Sequence, residues 1–187
     1  MTLNILPRAF YLEDTVKVAK NLLGKKIVRS IGNHKMSGII TETEAYRQKD
    51  DPASHAHRKI TERNKAMFEE VGKAYVYFTY GMYYCFNVVA RNPKFDAGAV
   101  LIRAIEPVEG IEIMKKNRKN KDVRNLVNGP AKLTQALQIT KKQYGLDLTK
   151  KGELFITEGI NEIKITSHPR VGINQATEKK WNFKIKI

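Results

Sequence analysis

Cysteine is almost absent. Cys85 is the only one in 187 residues, so no intrachain disulfide can form and no four-cysteine zinc site can be built. Acidic side chains are scarce beside basic ones, 19 Asp and Glu against 34 Lys and Arg, which leaves a formal net charge of +15. No stretch is long and apolar enough to cross a membrane, and the opening MTLNILPRAFYLEDTVK lacks the basic segment and apolar run of a secretory signal. The expectation is a soluble, intracellular protein with no membrane attachment, in a reducing compartment. Linkers, low-complexity tracts and internal repeats are missing as well. With hydrophobic residues at 42% and spread along the whole length, residues 1–187 are expected to form one domain with a substantial core.

A charge of +15 on so small a domain suits a polyanionic partner, because each neutralised phosphate releases counterions. A basic surface shaped by solubility alone remains the alternative. The densest basic run is IEIMKKNRKNKDVRNLVN, where six of the eighteen residues from Ile111 to Asn128 are Lys or Arg and two are acidic. Such a run is either a solvated face or a phosphate contact.

Periodicity predicts a helix over Leu12–Leu23, capped at Asp14 or Thr15 and ended by Gly24. Strands are expected at Lys26–Ile31 and Lys35–Ala45, joined by the tight-turn pair Gly32-Asn33. A polar irregular stretch, Arg47–Thr61, precedes a short helix, Glu62–Val71. Three β-rich runs follow between Lys73 and Ala104: AYVYFTY, YYCFNVVA and AVLIRA. Helices are predicted at Glu109–Lys119 and at Gly129–Leu137, the latter capped by Asn128 with Pro130 in its first turn. Short strands near Leu154–Thr157, Ile163–Thr166, Arg170–Ile173 and Phe183–Ile187 complete the chain. No regular βαβ alternation appears, so the predicted class is α+β, with a curved, largely antiparallel sheet flanked by helices.

Unusual residues concentrate between Glu42 and Arg103. Residues two apart share a strand face, so Glu42, Glu44 and Tyr46 are expected to continue the row Met36, Gly38, Ile40. Two carboxylates extending an apolar row mark either a strand end leaving the core or a site. Tyr75, Tyr77, Tyr80, Tyr83 and Tyr84 are five of the eight tyrosines. They are either core residues or rings that stack on bases. Tyr80, at a turn tip beside Gly81, is badly placed to pack inward. Asn87 and Arg103 each interrupt an apolar strand and need a polar partner, structural or bound. His55 and His57 in SHAHRK could suggest metal ligands, with Glu44, Asp50 and Asp51 nearby. No third His or Cys stands at ligand spacing, however, and neither HExxH nor HxE…PCxxC occurs, so no metal site is expected.

In order along the chain, GIITETEAY, DDPASHA, TERNKAMF, GKAYVYFTYGMYYCFNV, GAVLIRAIEP, LVNGPAKLTQAL, RVGI and WNFKI closely resemble the alkyladenine (3-methyladenine) DNA glycosylase family. The resemblance runs from about Gly38 to the C-terminus. It implies a base-excision repair enzyme that flips damaged purines out of double-stranded DNA, acts as a monomer and needs no cofactor. Carried over by position, Glu44 matches the carboxylate that activates water, and Arg103 the arginine that helps hold the water and the substrate backbone. Tyr46, Tyr77 and His55 match the residues enclosing the flipped base. Tyr80 matches the side chain pushed into the duplex, and Asn87 the residue that crowds out the amino group of guanine. Arg47-Gln48 departs from a usual apolar-Gly pair, which bears on pocket shape and not on the catalytic set.

The chemistry is consistent with that match. Extrusion costs least for damaged or poorly paired bases. Purines alkylated at N3 or N7 are cations, suited to electron-rich rings and already good leaving groups. A base acting on water completes the requirement without an amine nucleophile, leaving an abasic site and no strand cleavage. Two rivals make different demands. A non-catalytic nucleic-acid-binding module gives Glu44 no purpose in a phosphate-facing groove, and a metal hydrolase using His55 and His57 requires chelator sensitivity. An LPGVG-like hairpin, the mark of another glycosylase fold, is absent.

Overall fold

The side chain of Asp14 accepts hydrogen bonds from the backbone N–H groups of Val16 (2.9 Å) and Lys17 (3.3 Å), and so starts helix α1 at Thr15. In this computed structural model α1 spans Thr15–Asn21, shorter than the predicted Leu12–Leu23, because Arg8–Leu12 forms a separate 3-10 turn before the cap. The structure describes residues 4–120 and 122–187; the first three residues of the chain and Lys121 of the basic run lie outside them.

Strands β1 (Lys26–Ile31) and β2 (His34–Arg47) form the predicted hairpin, closed at Gly32, whose φ is +54°. β3 (Ala74–Thr79), β4 (Tyr83–Val89) and β5 (Gly98–Glu109) correspond to the three β-rich runs. α2 (Ile111–Arg118) and α3 (Pro130–Ala136) follow, then β6 (Leu154–Thr157), β7 (Thr166–His168) and β8 (Asn182–Lys184). The sheet order is β3-β4-β5-β2-β1-β6, with β8 also against β2 and β7 against β8, and every neighbouring pair is antiparallel. The chain is thus α+β, with a curled antiparallel sheet and, among the described residues, three α-helices. No helix among the described residues is long and apolar enough to cross a membrane.

Four expectations give way to local chemistry. Only Lys65–Phe68 of the predicted helix Glu62–Val71 is helical, and it is a 3-10 turn. The Asn64 side chain accepts from Thr61 N and donates to His55 O and Lys59 O, competing with a helical ladder. α3 is preceded by Gly129 as its cap, while Asn128 instead accepts from Lys132. Arg170–Ile173 is a turn rather than a strand, since Gly172 has φ +76°. The strand predicted at Ile163–Thr166 begins only at Thr166.

One face of the sheet buries its side chains with Val18, Ala19 and Leu22 of the α1 segment, Met114 of α2 and Leu133 and Ala136 of α3. The β2–β5 register decides what faces the other way. Thr41 stands opposite no residue of β5 and Arg103 opposite none of β2, so a bulge on one strand follows a bulge on the other. The expected row is therefore broken. Beyond Ile40, Thr43 and Ala45 join the core side, Thr43 donating to Ala19 O at 2.7 Å, and Glu44 and Tyr46 turn to the opposite face.

Candidate active site

Across that second face, directly opposed residues make a row: Glu44 on β2 faces Leu101 on β5, Leu101 faces Asn87 on β4, and Asn87 faces Tyr75 on β3. Tyr46 opposite Ala99, and Tyr77 opposite Cys85, flank it. The loops around residues 52–64 and 171–175 rise beside this floor and complete a cavity of about 710 Å³. Tyr46, His55, Tyr77, Tyr80, Asn87 and Arg103 all contribute to its wall, so six of the seven candidate residues converge on one space. The seventh, Glu44, is fully buried and stands behind the wall, in contact with it through Tyr46, Arg103 and Val171.

Every contact to the Glu44 carboxylate comes from a donor. Oε1 accepts from Val171 N (2.8 Å) and Asn182 Nδ2 (2.9 Å). Oε2 accepts from the Tyr46 hydroxyl (2.7 Å) and Arg103 Nη1 (3.3 Å). These four match the lone-pair sites a carboxylate offers. Glu42 lies alongside and takes Arg103 Nε at 2.9 Å and Asn182 Nδ2 at 2.7 Å. Burial works against the Glu42 carboxylate, but the Asn182 hydrogen bond and the Arg103 and Lys184 charges outweigh it and hold its pKa below the usual range. Burial, then the adjacent Glu44, raises the pKa of the Tyr46 hydroxyl, so it remains a donor. As the bulge residue of β5, Arg103 is aimed out of the ladder and reaches both carboxylates.

The aromatic side of the cavity is built around Tyr77. His55 meets it edge-on with centroids 4.7 Å apart, Tyr75 lies tilted at 5.4 Å, and the Arg63 guanidinium sits 5.1 Å from its centroid. His55 Nδ1 pairs with the Tyr75 hydroxyl at 2.9 Å. Although His55 is exposed at the cavity, desolvation of its ring by the surrounding protein and then the Arg63 charge lower its pKa to about 4, so the imidazole is neutral at pH 7. Burial pushes the Tyr75 and Tyr77 hydroxyls up, and both stay protonated. Asn87 is buried and fixed by its Nδ2, which donates to Tyr75 O at 3.0 Å.

Tyr80 lies at the tip of the β3–β4 hairpin and is 83% exposed. It has φ +51° and Gly81 φ +66°, left-handed at both central positions of the Thr79–Met82 turn. For a residue with a Cβ that conformation costs roughly 1–2 kcal/mol. Phe78 and Met82 beside it are exposed too, so the tip is an apolar prong at the cavity mouth.

Sequence reasoning missed several parts of this site. Asp51 and Arg170 form a bidentate ion pair at 2.6 Å with both side chains wholly buried, and the Arg170 guanidinium stacks 4.7 Å from the Tyr46 ring centroid. That pair fixes the turn from which Val171 N reaches Glu44. Asn182 arrives from β8, opposite Glu44. The signal for both was a polar residue inside the short apolar segments RVGI and WNFKI. Arg58, Lys59 and Arg63, and not the described residues of the run Ile111–Asn128, supply the cations beside Arg103 in the cavity wall. Within that run Lys115 and Arg124 pair with Glu112 and Asp122. Among the described residues no three His, Cys, Asp or Glu side chains are grouped as metal ligands.

Comparison with known proteins places this site in context. Residues 9–187 match the family model described as Methylpurine-DNA glycosylase (MPG). A protein of Carboxydothermus hydrogenoformans is 50% identical over 184 residues, covering 97% of this chain and 95% of its own length. Relatives from Clostridium acetobutylicum (46% identical; 97% of this chain, 94% of theirs) and Prosthecochloris aestuarii (49%; 93% and 84%) are similar over nearly as much. All three are assigned as 3-methyladenine DNA glycosylases.

Proposed function

This chain belongs to the methylpurine-DNA glycosylase family, and from that premise we propose how its own residues carry out base excision on double-stranded DNA. Cations around the cavity mouth, Arg58, Lys59 and Arg63 among them, meet the phosphate backbone. Tyr80, already extended on a hairpin tip, enters the duplex and fills the place of the extruded nucleotide. The base passes into the cavity, where Tyr46, Tyr77 and His55 enclose it. A cation such as 3-methyladenine or 7-methylguanine suits those electron-rich rings beside a neutral imidazole. Neutral lesions such as hypoxanthine and ethenoadenine fit the same space. Asn87, held on the Tyr75 carbonyl, crowds out the exocyclic amino group of guanine.

Glu44 is the base. One of its oxygens must exchange a donor for water. Tyr46 and Arg103, which line the cavity, are the partners an arriving nucleotide can displace. The water loses a proton to Glu44 as its oxygen bonds to the sugar C1′, and the glycosidic electron pair leaves with the base. A cationic base departs as a neutral molecule, while a neutral one takes up a proton. The product is an abasic site, with no covalent enzyme–DNA intermediate. Every group in this account comes from one chain, so a monomer suffices.

The observation that carries this reading is a wholly buried carboxylate, Glu44, in contact with two side chains of a tyrosine-rich cavity. A binding module gains nothing from a carboxylate beside a phosphate-facing groove. Duplexes carrying single lesions, incubated with the protein in excess EDTA, should release free base and acquire alkali-labile sites, and borohydride should trap no complex. Release abolished by the chelator, or efficient trapping, would contradict attack by Glu44-activated water.

A further inference from the structure

Asn182 occupies an unusual position. It is wholly buried and lies directly opposite Glu44 in the β2–β8 pairing. Its two amide hydrogens go to two different carboxylates, Glu42 Oε1 at 2.7 Å and Glu44 Oε1 at 2.9 Å. Arg103 bridges the same pair from the other side, at 2.9 Å and 3.3 Å, so Asn182, Glu42, Arg103 and Glu44 close a ring. Because both donors are committed, the amide cannot flip, and its Oδ1 is left buried with no partner among the described residues. A side chain selected for stability alone would avoid that orphan acceptor. The two clamps also differ in exposure to substrate: Arg103 lines the cavity, whereas Asn182 stands outside its wall.

Resting on the glycosylase reading above, we propose that Asn182 is a positioning residue: it holds Glu42 and Glu44 side by side and keeps Glu44 aimed at the cavity wall when Arg103 turns to the substrate. Two neighbouring carboxylates repel, and loss of the Asn182 hydrogen bond removes the largest of the influences that hold the Glu42 pKa down. The other groups facing them are Arg103 from β5, Lys184 from β8, Tyr46 from β2 itself, and Arg170, which reaches the site through its stack on Tyr46. Of these only Arg103 also contacts both carboxylates, and unlike Asn182 it lines the cavity where substrate can draw it away.

The test is single-turnover excision of 7-methylguanine across pH by wild type, Asn182→Ala and Asn182→Ser. This base leaves without protonation, so the acidic limb reports the enzyme's carboxylates. The Ala variant should be slower by about tenfold at neutral pH, with its acidic limb moved up by about one pH unit. Its affinity for lesion duplex should be unchanged, and Ser, which keeps one donor, should recover part of the rate. An unmoved limb, or a rate loss that merely tracks lower affinity and melting temperature, would overturn the proposal. Carbon-13 NMR of the Glu42 carboxyl in the free wild-type protein gives a check that needs no variant. Titration below the ordinary glutamate range is expected, and titration within it would also overturn the proposal. Failure of the glycosylase reading shows separately, as a wild-type protein that releases no base.

Discussion

Arg170 and Asp51, 119 residues apart in the chain, are joined by two 2.6 Å contacts with neither side chain open to solvent. The same guanidinium donates to Ala45 O at 2.9 Å and stacks on Tyr46, so the pair ties the turn at Val171 to the strand bearing Glu44. Removing one partner of a buried pair costs about 3–5 kcal/mol, since the other charge stays buried alone. Asp51→Ala should lower the urea midpoint by a corresponding amount. At concentrations where the variant is still folded, excision should also fall, because Val171 N no longer has a fixed place beside Glu44. Equilibrium unfolding and single-turnover rates on the same preparation check both.

For Tyr80, exposure and backbone conformation give opposite signs for stability and function. Asn tolerates a left-handed backbone better than Tyr, and the ring makes little of the core. Tyr80→Asn should leave the melting temperature at or slightly above wild type while weakening lesion-duplex binding and base flipping. Fluorescence of a base analogue placed beside the lesion reports the flip. A large loss of thermal stability would instead mark Tyr80 as a packing residue.

Asn87 sits in the floor of the cavity with its amide anchored at 3.0 Å on Tyr75 O. Asn87→Ser shortens the side chain and loses that bond, at about 1 kcal/mol of stability. The space opened should raise excision of undamaged guanine relative to hypoxanthine. Parallel assays on the two substrates check the ratio, and an unchanged ratio would argue against a steric filter.

His55 should titrate near pH 4 in the folded protein, against about 6.5 for an unperturbed imidazole. The unfolded chain therefore binds the extra proton between these values, and the His55 contribution to stability is complete above about pH 6.5 and lost as pH falls toward 4. Arg63→Gln removes a neighbouring charge that opposes protonation, so the titration should move upward. Imidazole resonances followed by NMR through pH 3–8 check both statements.

β-rich runs bounded by turn residues were enough to find β1 to β5, and the turns at Gly32 and Gly81 closed the hairpins as expected. The facing of Glu44 was not legible from the rule that residues two apart share a strand face. It depends on paired bulges at Thr41 and Arg103, which are a property of two strands in register and not of either sequence. Helix 62–71 failed for a similar reason, since Asn64 bonds across its loop to His55 and Lys59, and Ala66 N donates to the Tyr144 hydroxyl 78 residues away. Asp51, Arg170 and Asn182 are ordinary polar residues in the sequence. Only the folded chain shows that their buried partners lie more than a hundred residues away. The seven candidate residues stood out in the sequence as unusual for their positions, but it was the family resemblance that gave them roles, since residue pattern alone left all except Tyr80 with an ordinary structural reading.

The central claim is that Glu44 acts as a base, and Glu44→Gln tests it most directly. All four contacts on the carboxylate are donors. The new amide must therefore oppose at least one of them, at a stability cost of about 1–3 kcal/mol. The comparison is made at a temperature where the variant is fully folded and binds lesion duplex as wild type does. Single-turnover release of hypoxanthine and 7-methylguanine is then measured for both proteins. General-base catalysis contributes roughly 10²–10⁴-fold, and the variant should lose at least that order of rate with binding retained. A folded, duplex-binding Glu44→Gln protein that excises both bases at near wild-type rate would contradict the account.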